Sequence, residues 1–173
     1  VNDVDASAFT KVLTVTATGN MLAASTHVLK GGSDSDILSI TVDNAAAANA
    51  SGIEDFETIQ TVLAAGGFKW TSHDNNVDSG NTQTINATSL DDDVLTFNGS
   101  AETDGSFVVV GSAGDDAITG GAIADTLSGG TRADTLIGNG GADMIFGGNG
   151  ADVISGDAGA DVISGGAGAD ALS

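Results

Sequence analysis

The sequence predicts an all-β protein. We expect a parallel β-solenoid of nonapeptide repeats over residues 111–173, preceded by a β-rich region over residues 1–110. Two observations predict this. Residues 111–173 divide without insertion into seven consecutive nonapeptides. Upstream, short runs rich in Thr, Val and Ile alternate with polar residues and end at Gly or Asn, which is typical of strands. For the upstream region, a solenoid is an alternative to another β-rich arrangement.

The seven nonapeptides, here units one to seven, share fixed positions, here places one to nine. They read GSAGDDAIT, GGAIADTLS, GGTRADTLI, GNGGADMIF, GGNGADVIS, GDAGADVIS and GGAGADALS. Place six is always Asp: Asp116, Asp125, Asp134, Asp143, Asp152, Asp161 and Asp170. Place eight is always aliphatic: Ile118, Leu127, Leu136, Ile145, Ile154, Ile163 and Leu172. We expect six residues of each unit to turn and three to extend, with the aliphatic pointing inward.

Two units then form one coil, so alternate units stack on the same side. We call units one, three, five and seven the odd column, and units two, four and six the even column. Adjacent coils are expected about 4.8 Å apart, the spacing of paired strands. A cation can therefore lie between two turns of one column.

The charge of the chain excludes several partners. Its 24 acidic and 4 basic residues give a formal net charge of −20. Such a chain repels nucleic acid and anionic membranes and attracts cations. It has no Cys, which excludes disulfides and thiolate sites, and no apolar run long enough to predict a membrane span. Because it begins at Val1 and stops on a repeat boundary, we expect a fragment of a longer protein.

The first 52 residues carry four signals. Lys11–Thr18 predicts a strand, and a second short strand is expected near Thr26–Leu29. Residues 31–39, GGSDSDILS, form an isolated unit with Asp36 at place six. The alternative for this segment is a Gly-Gly turn that enters a strand at Ile37–Val42. Residues 43–52 predict a loop or a single helical turn.

The next segments lead into the repeats. Thr58–Leu63 favours a strand, although its apolar spacing also fits a helical face. Phe68 and Trp70 alternate after a Gly-Gly turn. Core packing is the favoured interpretation of Trp70, the only Trp, and a ligand platform is the alternative. Residues 74–81 have acidic spacing like that of a calcium loop, but the glycine stands at the seventh place instead of the sixth, and Ile85 replaces the Glu of the twelfth place, which favours a polar turn.

Residues 82–98 predict a strand, a turn and a strand. The turn contains Asp91, Asp92 and Asp93, which we expect to be solvated, with a peripheral cation as the alternative. Phe107–Val110 is expected to form the rung on which the first repeat stacks.

The repeats predict calcium. Each place-six Asp brings carboxylate oxygen to the gap between turns, and turn glycines can present backbone carbonyls. An oxygen-only shell with flexible distances suits Ca²⁺ better than Mg²⁺. Three gaps in the odd column and two in the even column predict about five calcium sites. The glycines expected to take part occupy places one and four: Gly111, Gly114, Gly120, Gly129, Gly138, Gly141, Gly147, Gly150, Gly156, Gly159, Gly165 and Gly168.

Two substitutions weaken the start of the array. Ile123 and Arg132 replace the place-four glycine of units two and three. A β-branched residue is strained at positive φ, and Arg132 adds positive charge beside the ions. We expect the gaps between units one and three, and between units two and four, to be the less dependable sites. Because clustered carboxylates repel one another, we also expect residues 111–173 to fold only on binding calcium.

Residues 111–173 resemble the RTX (repeats-in-toxin) β-roll family, whose pattern is G-G-x-G-x-D-x-U-x. The resemblance implies a bacterial protein exported by type I secretion to a calcium-rich exterior. It also implies that the place-six aspartates and the turn-glycine carbonyls bind calcium. Residues 1–110 are more loosely similar to β-rich parts of bacterial surface-layer proteins that carry such repeats.

Three functions follow as alternatives. The favoured one is a calcium-stabilised structural module of a secreted or cell-surface protein, of surface-layer type, that self-associates into a lattice. The second is an adhesive module that binds a cell-surface glycan, with Trp70 as its probe. The third is the accessory C-terminal region of a secreted enzyme. We expect no catalysis within this chain, because it has no H-E-x-x-H, G-x-S-x-G or Cys nucleophile, and His27 and His73 have no evident partner.

Overall fold

The computed structural model describes the strand residues 4–5, 14–18, 29–30, 37–41, 47–49, 53–54 and 58–62, together with residues 67–72, 74 and 76–173. Its strands are β1 (Val4–Asp5), β2 (Thr14–Thr18), β3 (Leu29–Lys30), β4 (Ile37–Thr41), β5 (Ala47–Asn49), β6 (Ile53–Glu54), β7 (Thr58–Val62), β8 (Phe68–Thr71), β9 (Thr82–Asn86), β10 (Leu95–Asn98), β11 (Ser106–Val110), β12 (Ala117–Thr119), β13 (Thr126–Thr131), β14 (Thr135–Ile137), β15 (Met144–Asn149), β16 (Val153–Ser155), β17 (Val162–Ala167) and β18 (Ala171–Leu172). A 3-10 turn spans Thr88–Leu90.

These strands form parallel sheets, which confirms the predicted solenoid. One sheet has the order β18-β16-β14-β12-β10-β8-β5, and the other has the order β17-β15-β13-β11-β9-β7-β4-β2. A third sheet, β1-β3-β6, accompanies the upstream coils. Within the described residues, no helix is long and apolar enough to cross a membrane.

The sheets run without a break across the boundary at residues 110 and 111. In one sheet β10 pairs with both β8 and β12, and in the other β11 pairs with both β9 and β13. The upstream region is therefore solenoidal as well, and Ser106–Val110 is the rung on which the repeats stack, as predicted.

Two ladders of inward-facing side chains form the core. The first runs Ile59, Ile85, Val109, Leu127, Ile145 and Ile163, and the second runs Trp70, Phe97, Ile118, Leu136, Ile154 and Leu172. All are buried except Ile163, which is partly buried, and Leu172, which is 52% exposed in the last described coil. The place-eight aliphatics thus point inward, and each pairs with the residue two units later, which confirms the two-unit coil.

Coil length sets the thickness of the core. In the repeats, paired residues lie two nonapeptides apart, as in Leu127 and Ile145. Upstream the coils are longer, so that Trp70 pairs with Phe97. The wider cross-section holds aromatic side chains: Phe97 and Phe107 meet edge to face at 5.0 Å, and Phe68 lies 6.0 Å from Trp70. Burying aromatics gives the upstream coils more apolar contact than single aliphatics give the repeats.

Most of the predicted upstream strands are present. β2, β7, β9 and β10 lie within or overlap the expected segments, and β3 begins at Leu29. β4 lies within the strand that the alternative for residues 31–42 expected. The prediction of a loop or helical turn over residues 43–52 was wrong for Ala47–Asn49, which is β5 and pairs with β8. The hydrogen bonds of that ladder outweigh the helical preference of alanine.

Candidate metal centre

The turns that join the two sheets fall into two classes. In units three to seven both place two and place four have positive φ: Gly130, Asn139, Gly148, Asp157 and Gly166 at place two, and Arg132, Gly141, Gly150, Gly159 and Gly168 at place four. We call these full turns. In units one and two neither place has positive φ, and we call these modified turns.

This corrects the strain expected at Ile123. Its φ lies outside the left-handed region, because the modified turn of unit two takes another path. Arg132 does occupy a full turn, at a φ of +74°, a left-handed value open to non-glycine residues at modest cost. Its guanidinium Nη2 lies 3.2 Å from Asp92 Oδ2 on the surface, so part of its charge is paired with an acid outside the repeats.

Place four of unit five shows a position where only glycine fits. The φ of Gly150 is +146°, and a Cβ there would lie 1.6 Å from the carbonyl oxygen of Arg132 in the preceding coil. The backbones are too close for any side chain.

The place-six aspartates form two ladders along the solenoid axis. The amide nitrogen of each of the first five donates to Oδ1 of the aspartate one coil later, at 2.7–3.1 Å. The ladders begin upstream, where Leu95 N donates to Asp116 Oδ1 and Phe107 N to Asp125 Oδ1, both at 2.7 Å. One carboxylate oxygen of each aspartate therefore satisfies backbone in the neighbouring coil.

The second oxygen, Oδ2, occupies the space above the place-one glycine of its own unit. A Cβ on any of these seven glycines would lie 2.2–2.4 Å from that oxygen. The place-one carbonyl of the next coil approaches the same point: for Gly147, Asp152 Oδ2 would be 2.3 Å away and Gly165 O 2.5 Å. The glycine thus makes room for a carboxylate oxygen and a carbonyl oxygen side by side.

The partners of Oδ2 differ between the two turn classes. In the modified turns, Ser112 N and Gly121 N donate to Oδ2 of Asp116 and Asp125, both at 2.6 Å. In the full turns of units three, four and five, Oδ2 of Asp134, Asp143 and Asp152 is buried and accepts no hydrogen bond. A buried carboxylate oxygen without a partner is costly, so these oxygens favour binding of a cation.

The raised pKa values of the ladder aspartates also favour binding of a cation. Burial, followed by repulsion from neighbouring acids, raises the pKa of Asp134 to about 7 and that of Asp125 to about 6. Burial also raises the pKa of Asp116 and Asp143. The folded array thus resists ionisation of its own carboxylates unless positive charge is supplied.

These oxygens fit calcium. The donors are carboxylates and backbone carbonyls only, which is the chemistry of a hard divalent cation. A family model that describes four copies of the RTX calcium-binding nonapeptide repeat matches residues 108–136, 120–154 and 146–173. Residues 108–173 are RTX calcium-binding repeats. No curated protein and no solved structure matches the chain.

In this RTX array, Oδ2 of Asp134, Asp143 and Asp152 and the neighbouring place-one carbonyls would hold calcium. The ion supplies the positive charge that neutralises the ladders. Asp161 and Asp170 accept the last two ladder hydrogen bonds and line the gaps of units six and seven. Gly114, in the modified turn of unit one, packs against the carbonyls of Asp92 and Asp93. Asp36, the predicted ligand of the isolated upstream unit, lies outside the described residues.

Several other sequence predictions are settled here. Trp70 is fully buried, so the idea of an exposed ligand platform was wrong, and core packing is confirmed. Asp91 and Asp92 are exposed, as expected of a solvated turn, and Asp93 is partly exposed. His27 and His73 lie outside the described residues. Sequence reasoning missed the backbone role of Oδ1. Its only signal was the constant spacing of the aspartates.

Proposed function

We propose that this chain is a calcium-stabilised structural module of a secreted or cell-surface bacterial protein of surface-layer type. The observation that carries the proposal is the set of three buried, unpartnered Oδ2 atoms of Asp134, Asp143 and Asp152. The continuity of the ladders from β8 to β18 adds support, since calcium that stiffens the array also braces the upstream coils.

We further propose that the predicted sites differ in strength. Three gaps lie between two full turns: units three and five, five and seven, and four and six. The other two adjoin a modified turn, whose aspartate oxygen already accepts an amide hydrogen bond. The first three therefore bind calcium tightly and the other two more weakly. Calorimetric titration of the full chain is expected to resolve a strong and a weak class, and a single uniform class would contradict this.

The dependence of folding on calcium is tested by circular dichroism. The calcium-free chain is expected to lose β signal that reappears on adding calcium, whereas Trp70, buried among the upstream aromatics, keeps its blue-shifted emission. A β spectrum that resists chelation would contradict calcium-driven folding of the array.

Assembly is tested by negative-stain microscopy with and without calcium. A calcium-dependent two-dimensional lattice is expected. Monomers at all calcium concentrations would instead favour an accessory module of a larger secreted protein. We propose no catalytic role, and the absence of a Cys nucleophile and of the H-E-x-x-H and G-x-S-x-G motifs from the sequence supports this.

A further inference from the structure

Two upstream loops stack on each other at the head of the even column. The first loop follows β8 and includes the described residues 72, 74 and 76–81, and the second loop, residues 99–105, follows β10. We call them loops 72–81 and 99–105. Gly80 N donates to Asp104 O at 3.0 Å, and Ser106 N donates to Asn81 O at 3.0 Å. These bonds hold the two loops in a defined register outside the nonapeptide array.

Three acids from these loops converge. One carboxylate oxygen each from Asp74, Glu102 and Asp104 lies within 4.8 Å of the others. Thr103 N donates to Asp74 Oδ1 at 2.9 Å and fixes that side chain. Asp74 and Asp104 are exposed, so the cluster opens to solvent on one side. Proximity of exposed acids alone does not define a site, because such groups also occur without an ion.

The state of Glu102 is the independent observation. Its side chain is fully buried, and its Oε2 has no hydrogen-bond partner. The other oxygen, Oε1, accepts from Gly105 N at 3.1 Å, which orients the carboxylate within the cluster. A fully buried carboxylate with one unpartnered oxygen beside two other acids carries a large desolvation cost, and a cation would offset it.

The cluster also continues the geometry of the array. Ala122 N, in the modified turn of unit two, donates to Glu102 O at 3.0 Å. Loop 99–105 therefore lies one coil before unit two in the even column. Asp125 of that unit is close enough for the charge of Glu102 to raise its pKa. Cation density at this head position would relieve repulsion along the column.

We propose that Asp74, Glu102 and Asp104 form a calcium site outside the RTX repeats, which joins loops 72–81 and 99–105. Its ligand set is three carboxylates, an all-oxygen donor set of high negative charge. Bound calcium would link the loops that follow β8 and β10, at the head of the even column.

Trp70 gives this site its own reporter. It is the only Trp, and the chain has no Tyr, so Trp-sensitised terbium luminescence arises from ions near β8. Asp74 follows Trp70 by four residues, so the two are separated by at most ~14 Å of chain. The nearest gap of the array, between units one and three, borders β12, which is two strands from β8, or ~10 Å across the sheet alone, and this gap is one of the two weaker sites. Sensitisation falls steeply with distance and therefore favours the upstream site.

The test is a terbium titration of the full chain followed by displacement with calcium. Wild type is expected to give sensitised emission that calcium abolishes. Glu102→Gln keeps the shape of the side chain and removes its charge. It is expected to weaken terbium binding by roughly tenfold or more, because loss of a residue that only supports a metal ligand already lowers metal affinity by that factor. Asp104→Asn, an exposed change that leaves the fold intact, is expected to act in the same direction.

Two controls separate this site from its surroundings. Asp78→Asn removes an exposed charge from the same loop, outside the cluster, and is expected to leave the emission unchanged. Asp143→Asn damages the even column of the array and is also expected to leave it unchanged. Undiminished emission in both Glu102→Gln and Asp104→Asn, or failure of calcium to displace terbium, would overturn the proposal.

Discussion

Each place-six aspartate has two roles, one for each carboxylate oxygen. Oδ1 accepts a backbone hydrogen bond from the neighbouring coil, and Oδ2 faces the place-one glycine. Substitution of Asp by Asn would keep one acceptor but remove the charge that attracts calcium. The residue type is thus required by fold and ligand binding together.

The place-one glycine provides the first prediction. A Cβ at position 147 would lie 2.3 Å from Asp152 Oδ2, so Gly147→Ala displaces that ligand oxygen. We expect about 1–3 kcal/mol of destabilisation in calcium, typical of overpacking, and weaker binding in the odd column. Thermal unfolding and calcium titration measure both. Unchanged calcium affinity would show that Oδ2 is not a ligand in this gap.

Arg132 provides the second prediction. Arg132→Gly removes a positive charge from a full turn and is expected to tighten calcium binding in the odd column. The lost surface pair with Asp92 should cost no more than about 1 kcal/mol. Arg132→Asn is the matched variant, because Asn also lacks the charge and tolerates the φ of +74° without the backbone freedom of glycine. If Asn does not tighten calcium binding but Gly does, backbone freedom rather than charge limits the site.

At the level of single strands, each repeat strand contributes one inward-facing aliphatic to a thin core, and these aliphatics are buried in all but the last two strands. The flanking residues point outward and are partly or fully exposed, as in Met144, Phe146 and Val153. The upstream strands instead bury aromatics that touch across the sheets. Elements of the same topology therefore differ in how much apolar contact stabilises them.

The third prediction compares two repeat aliphatics. Ile145 is fully buried between Leu127 and Ile163, so Ile145→Ala is expected to cost about 2–5 kcal/mol in the calcium-bound protein. Leu172→Ala is the control, because Leu172 is 52% exposed, and little change is expected. Chemical unfolding measured with calcium in excess gives both values. Equal effects would contradict the two-ladder core.

At the scale of the whole molecule, negative charge opposes a fold whose ladders stack acid on acid. The chain carries a net charge of −20, and the buried aspartates lie in two parallel columns. Calcium and protons both relieve this repulsion, so they compete for the same carboxylates.

The fourth prediction is the pH dependence of the calcium-free state. The pKa is about 6 for Asp125 and about 7 for Asp134 in the folded chain, both above the ordinary 3.8. Between pH 3.8 and about 7, the folded state thus binds more protons than the unfolded state. Its stability falls as pH rises from about 4 to about 7, and calcium affinity rises over the same range. Melting of calcium-free protein at pH 5 and pH 8 measures this. Higher stability at pH 8 would contradict it.

The structure of the repeating part follows from its amino-acid pattern alone. A period of nine with one Asp and one aliphatic per unit dictates a two-unit coil, inward aliphatics such as Leu136, and stacked acids such as Asp134 and Asp152. The reason is that every contact in the array joins residues at a constant separation, so local pattern and tertiary pairing carry the same information.

The upstream strand pairs, the acidic cluster and the modified turns depend on tertiary contacts that the amino-acid pattern does not reveal. The upstream coils vary in length, so no period reveals that Trp70 pairs with Phe97, or that Ala47–Asn49 joins β8 as a strand. Asp74 and Glu102 are distant in sequence and meet only because their loops stack. The modified turns of units one and two likewise depend on hydrogen bonds that Ser112 N and Gly121 N donate to place-six aspartates and that no motif encodes. These contacts join residues at irregular sequence separations, so no periodic pattern predicts them. They form because the coils stack in parallel.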